Sequence, residues 1–193
     1  MPKNFSAPPI FEICILAGGL SSRIGRDKSR LRLGGRTMLS HARAAARQSG
    51  LPVRVIRRDL VQRCGPLGGI FTALKTTRAR AVLFLACDMP FVSAGLLKFL
   101  LGKFSAKHSA LFSQANRQVG FPFLIARDRL SVVEKQITRK EFSIHRLAPA
   151  LRARKIKLPS LFAGQLQNIN TLEELKRARR SKLVFGGRSS TTP

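Results

Sequence analysis

Two short runs, IFEICILA at 10–17 and AVLFLA at 81–86, are apolar almost throughout and then stop abruptly. The first ends in Gly18-Gly19 and the second leads into Asp88-Met89-Pro90. Near-continuous apolarity over so few residues marks a strand covered on both faces, which happens where helices flank a parallel sheet. The intervening chain supplies those helices. An alanine-rich stretch, 37–48, reads as a helix stopped by Ser49-Gly50, and 52–57 alternates as a strand. Gly65-Pro66-Leu67-Gly68-Gly69 reads as a turn ahead of a helix over 70–77, and Ser93 opens another to about Leu101. Strands follow at 109–113 and 121–126, with helices at 128–136 and 143–154. Residues 165–170 then lead into a helix opened by Thr171, whose spacing to Glu174 is that of a capping box. The alternation predicts an α/β fold: a three-layer αβα sandwich around a Rossmann-like, mostly parallel sheet.

A length of 193 residues suits one domain over 1–185, and the tail 186–193 reads as disordered. The hydrophobic fraction of 44% is enough for a core. Cys14, Cys64 and Cys87 have neither zinc nor redox spacing, so a reduced, cytoplasmic protein is the simplest expectation. No run reaches the roughly 20 apolar residues of a membrane span. The proline-bearing start and the short apolar run after it do not read as a signal peptide either. Charge is the oddest property: 36 Lys plus Arg against 9 Asp plus Glu, a formal +27. Such a surface attracts polyanions without choosing among them. With Trp and Tyr absent there is no basic-aromatic stacking motif, so no dedicated nucleic-acid site is expected.

Ligands of open α/β sheets bind beyond the carboxyl ends of the strands, which makes the loops after Ala17 and Ala86 one candidate site. The first loop has the contents of a phosphate cradle. Gly18 and Gly19 let backbone amides face an anion, Ser21 or Ser22 adds donors, and Arg23 and Lys28 add fixed positive charge. It matches neither G-x-x-x-x-G-K-[ST] nor G-x-G-x-x-G. In the second loop Asp88 suits magnesium, which takes one or two carboxylates plus phosphate oxygens, although aspartate before a proline is also a common turn residue. Gly68 and Gly69 could offer amides to an anion or a base edge, or simply open a helix. Asn168 and Asn170 fall on one face if this segment is a strand end; holding a ligand and capping the next helix are both open. His41, His108 and His145 lack metal spacing or triad partners.

The run LAGGLSSRIGRDKSRLRLGGRTML resembles the signature of the molybdenum cofactor guanylyltransferases, within the nucleotidyltransferase superfamily. Asp27 stands where sugar-phosphate relatives carry proline before the lysine. ACDMP resembles the family's magnesium aspartate motif, GPLGG its GPLAG segment, and NINTLEEL its NVNTPEEL ending. LAGG with a GPLAG-like segment goes with guanine in this family, where cytidylyl relatives tend to LAAG and TPLRG. The resemblance implies a sheet of the nucleotide-diphospho-sugar transferase type. It implies GTP bound by Leu16, Ala17, Gly18, Gly19, Ser21, Lys28, Gly65, Gly68 and Gly69, and Mg2+ on Asp88. Asn168 and Asn170 would help hold the acceptor, a phosphorylated molybdopterin, or a second magnesium. Arg139 and Arg146 lie in the region of the family's acceptor-binding arginines.

The resemblance also has a departure. Between the first helix and Gly65 the family fits strand, helix and strand, whereas 50–64 has room for one strand. The aspartate expected ahead of GPLAG aligns with Arg58, leaving neighbouring Asp59 as its stand-in. The expected reaction is transfer of GMP from GTP to molybdopterin phosphate, with Arg23, Lys28 and Asp88 as the catalytic set. Alternatives are a related enzyme for another base or acceptor, cytidylyl or sugar-phosphate, and a degenerate member acting as an adaptor. The basic surface would suit an acidic molybdoenzyme as partner.

Overall fold

The structure is a computed structural model that describes residues 10–18, 31–105, 107–115 and 118–185. The core of the glycine-arginine loop, with Gly19, Ser21, Arg23 and Lys28, lies outside the described residues, as does the tail 186–193. Both buried runs are strands, β1 (Phe11–Leu16) and β5 (Ala81–Ala86). Alternation sends Cys14 and Leu16 of β1, with Val82 and Phe84 of β5, into one apolar layer; Ile13, Ile15, Leu83 and Leu85 enter the other. Each such side chain taken out of water contributes about 1.5–3 kcal/mol. Strands with no polar face can settle only between two layers of helices.

Those layers come from the predicted segments. On one side lie α2 (Pro66–Thr76), α4 (Leu130–Thr138) and α5 (Ile144–Ala150). On the other lie α1 (Met38–Arg47) and α3 (Ala94–Lys103), capped by the hydroxyls of Thr37 and Ser93. The sheet adds β4 (Val53–Ile56), β6 (Ala110–Ala115), β7 (Gln118–Ala126) and β8 (Arg154–Lys157), in the order β4-β1-β5-β7-β6-β8. Only β7 runs against the rest, so the sheet is mostly parallel, as expected. A hairpin of β2 (Arg32–Leu33) and β3 (Arg36–Thr37) turns at Gly34-Gly35, both at positive φ, which the tight turn demands. It packs with Ile169 under the last helix, α6 (Leu172–Phe185).

Four expectations need correction. The loop expected to run polar to Gly35 contains the β2–β3 hairpin. Helix α2 begins at Pro66, so Gly68 and Gly69 lie inside its first turn rather than in a turn before it; proline is well suited to a first helical position. The helix expected over 143–154 ends at Ala150, with Arg152 at φ 49, and Arg154 opens strand β8. That strand is highly charged, and at a sheet edge charge deters pairing with other chains. Finally, Asn168 and Asn170 are not at a strand end: a 3-10 segment, Ser160–Leu166, precedes them and the chain is irregular up to α6.

Candidate active site

The carboxyl ends of β4, β1 and β5 meet at one edge of the sheet. Leu16 stands opposite Ile56 on one side and Ala86 on the other. The Ala17 N–H donates to the Ile56 carbonyl at 2.9 Å, and the Cys87 N–H donates to the Leu16 carbonyl at 3.1 Å. The two candidate loops therefore leave the sheet from adjacent strands. Asp88, half-buried, follows directly. Its carbonyl accepts the Ile169 N–H at 2.9 Å, and Ile169 is fully buried. This backbone contact brings exposed Asn168 and half-buried Asn170 beside the end of β5.

The capping box at the start of α6 is formed. The Glu174 carboxylate accepts the Asn170 and Thr171 N–H groups, while the Thr171 hydroxyl accepts the Glu174 N–H at 3.1 Å. Thr171 and Glu174 thus cap the helix, a task that had been one reading of Asn170.

A second group gathers on the β4 side. From Arg57 to Gly65 the chain runs without strand or helix to α2 and passes close to three glycines. A Cβ on Gly18 would lie 3.0 Å from the Arg57 carbonyl oxygen. One on Gly68 would lie 2.6 Å from the Val61 carbonyl oxygen and 2.7 Å from Asp59 Oδ2. One on Gly69 would lie 3.0 Å from Leu16 Cδ2 and 3.4 Å from Asp59 Oδ1. Gly68 and Gly69 are buried, and the group next to them is this chain's own carboxylate. Their side of the helix is glycine because Asp59 and the loop carrying it fill the space. Gly65 caps α2 at φ 54, with Phe142 packed against it.

Burial pushes the Asp59 carboxyl above the usual aspartate value. The Cys64 thiol is also raised, by burial first and by Asp59 second, and burial takes Cys14 to about 12. Both thiols stay protonated at neutral pH, so neither is a ready nucleophile. The Leu60 N–H donates to the Thr72 hydroxyl oxygen at 2.8 Å, and the hydroxyl donates to the Gly68 carbonyl at 2.8 Å. Thr72 and Phe142 were not singled out from sequence. The Gly68-to-Thr72 spacing of i to i+4 on one helix was the only available hint.

Leu16, Ala17, Gly18, Asp59, Gly68, Gly69, Asp88, Asn168 and Asn170 thus collect at one edge, with Gly65 at the α2 cap beside them. Gly19, Ser21, Arg23 and Lys28 follow Gly18 in sequence and fall outside the described residues. Among the described residues no cluster of three or more His, Cys, Asp or Glu could cage a metal, and no helix is long and apolar enough to cross a membrane. One carboxylate at a strand end fits a magnesium ion whose remaining ligands come from phosphate and water.

Residues 13–154 match the family model described as MobA-like NTP transferase domain. The chain is 32% identical over 188 residues to a protein of Opitutus terrae named "Probable molybdenum cofactor guanylyltransferase", covering 86% of this chain and 93% of that one. It is 26% identical to the molybdenum cofactor guanylyltransferase of Acinetobacter baumannii, covering 92% and 96%. The crystal structure of molybdopterin-guanine dinucleotide biosynthesis protein A from Archaeoglobus fulgidus has the same fold, with TM-score 0.68 at 22% identity over 90% of this chain and 99% of that one. With its signature loop, its strand-end aspartate and these relatives, the chain belongs to the MobA-like NTP transferase family.

Proposed function

We propose that this chain is a molybdenum cofactor guanylyltransferase working in the cytoplasm, with residues 1–185 as its one catalytic domain. A phosphate oxygen of molybdopterin attacks the α-phosphorus of GTP. The new P–O bond forms as the bond to the β-phosphate oxygen breaks, and pyrophosphate leaves. The observation that carries this reading is the pairing of Leu16 with Ala86, which starts the signature loop and the Asp88 turn side by side. The names of the relatives support guanine as the base and molybdopterin as the acceptor.

In this reading Leu16, Ala17, Gly18 and Gly19 line the triphosphate with backbone, and Ser21 donates to it. Arg23 and Lys28 offset charge that builds on the leaving pyrophosphate. Asp59 accepts from the base, since adjacent N–H donors on the guanine edge match the two oxygens of a carboxylate. Asp88 would hold Mg2+, which when bound neutralises phosphate charge and orients the oxygens. Asn168 and Asn170 hold the acceptor. The basic surface suits an acidic molybdoenzyme as recipient of the product.

The test is pyrophosphate release with GTP, CTP and ATP in the presence of molybdopterin and magnesium. GTP is the expected substrate. Asp88→Ala should lower turnover about 1000-fold and Lys28→Ala about 100-fold, the scale of losing one electrostatic stabiliser. Equal rates for both variants and the unsubstituted protein would reject these roles, and preference for CTP would replace guanylyl by cytidylyl transfer.

A further inference from the structure

The link between β4 and α2 has no strand or helix of its own, and is held in part by Val61, packed on the core, and by buried Cys64. Leu60, at its middle, is 58% exposed, so its side chain does not anchor the loop. At Leu60 the anchor is polar and comes from α2. Thr72 is buried in α2, and its hydroxyl sits between two backbone groups, accepting the Leu60 N–H and donating to the Gly68 carbonyl. Both ends matter for Asp59. Leu60 is its chain neighbour, and Gly68 is the residue whose missing side chain admits the Asp59 carboxylate. A single hydroxyl therefore ties the carboxylate's own loop to the floor on which the carboxylate rests.

The carboxylate itself is left available. Among the described residues no hydrogen bond or ion pair reaches Asp59, so its oxygens keep their capacity to accept from a ligand. We infer that Thr72 is a positioning residue for nucleotide selection, its hydroxyl clasping the Asp59–Leu60 turn to α2 so that the Asp59 carboxylate faces the base. The inference rests on the assignment of Asp59 to the guanine edge made above, and deepens it. A hydroxyl suits this task better than an apolar contact because it sets direction as well as distance, and a carboxylate must meet two N–H donors in register. Threonine is also cheap here in another sense: a hydroxyl bonded back to the carbonyl four residues earlier needs no other partner in a buried helix.

The clasp separates from a merely structural role by base discrimination. Inosine triphosphate lacks the 2-amino group of guanine and leaves everything else in place. Binding of GTP and of ITP to the full chain, each with magnesium, is measured by titration calorimetry. The unsubstituted protein should favour GTP by about tenfold, the scale of one charge-assisted hydrogen bond. Thr72→Val, close in shape but without a hydroxyl, should bring the ratio near one while leaving ITP affinity little changed. Thr72→Ser should restore it. Asp59→Asn should lose the preference with the clasp intact, and the Thr72→Val/Asp59→Asn double variant should lose no more than Asp59→Asn alone.

Hydrogen exchange at the Leu60 amide reads the clasp without any nucleotide: protected with threonine or serine at 72, fast in the Thr72→Val protein. A Thr72→Val protein that keeps the GTP preference, or that loses both nucleotides in parallel, overturns the inference. So does unchanged protection of the Leu60 amide. Equal affinity of the unsubstituted protein for GTP and ITP would instead overturn the role of Asp59 and the selection that depends on it, while fast Leu60 exchange in Thr72→Val would still establish the clasp.

Discussion

Asp59 carries a cost that its neighbours do not remove. It is a carboxylate partly withdrawn from water, close to the buried residues Gly68 and Gly69, and burial raises its pKa. The folded protein then holds this proton more tightly than the unfolded chain does. Stability falls as pH rises from the ordinary aspartate value through the raised one, and the loss persists above it. Asp59→Asn should therefore raise the melting temperature at neutral pH. The gain should fade in acid below the ordinary carboxylate range, where Asp59 is already neutral. Thermal melts across that range check both halves; a gain independent of pH would mean that charge burial is not its source. Retaining a destabilising carboxylate at this edge is the behaviour expected of a ligand-binding group. Its neighbour Arg58, which aligns with the aspartate expected by family resemblance, is exposed, while the Asp59 carboxylate faces Gly68 and Gly69.

At the scale of elements, glycine has opposite meanings in two helices of similar length. In α2, Gly68 lets the loop over 57–65 approach the helix backbone, and Gly68→Ala would drive a methyl into the Val61 carbonyl and the Asp59 carboxylate. In α3, nothing lies within 4 Å of a Cβ on Gly102. Gly68→Ala should cost about 1–3 kcal/mol and weaken GTP binding, while Gly102→Ala should gain about 0.5–1 kcal/mol through lower freedom of the unfolded chain. Urea unfolding of the two variants checks the contrast, and two changes of the same sign would contradict it. The same comparison explains one boundary error. GPLGG reads locally as a turn because two glycines follow a proline, yet the first turn of α2 tolerates both once a packed loop makes small residues necessary. Strand β8 was missed for a related reason: RKIK buries only Ile156, and its strand geometry comes from pairing with β6.

For the whole molecule, the +27 charge sets a long-range field that attracts phosphorylated ligands and is screened by salt. The KM for GTP should rise several-fold between roughly 0.05 and 0.5 M salt with little change in turnover at saturation; a flat profile would detach the surface charge from substrate capture. The shortened segment is met at this scale as well. With one strand between α1 and α2, β4 becomes an edge, and Arg54 ties it inward through Glu12, 2.8 Å away, and through the Ala73 carbonyl. Legible in the chain alone were the two doubly buried strands, the flanking helices and the capping box at Thr171. These depend on local polarity and spacing, which any short stretch carries within itself. Which glycines are packed rather than flexible, which of Arg58 and Asp59 faces inward, that the Thr72 hydroxyl accepts the Leu60 N–H, and that Asn168 and Asn170 reach the end of β5 through Ile169 all arise from contacts between distant segments. Such contacts are set by how the layers close over the sheet, and no local pattern encodes that.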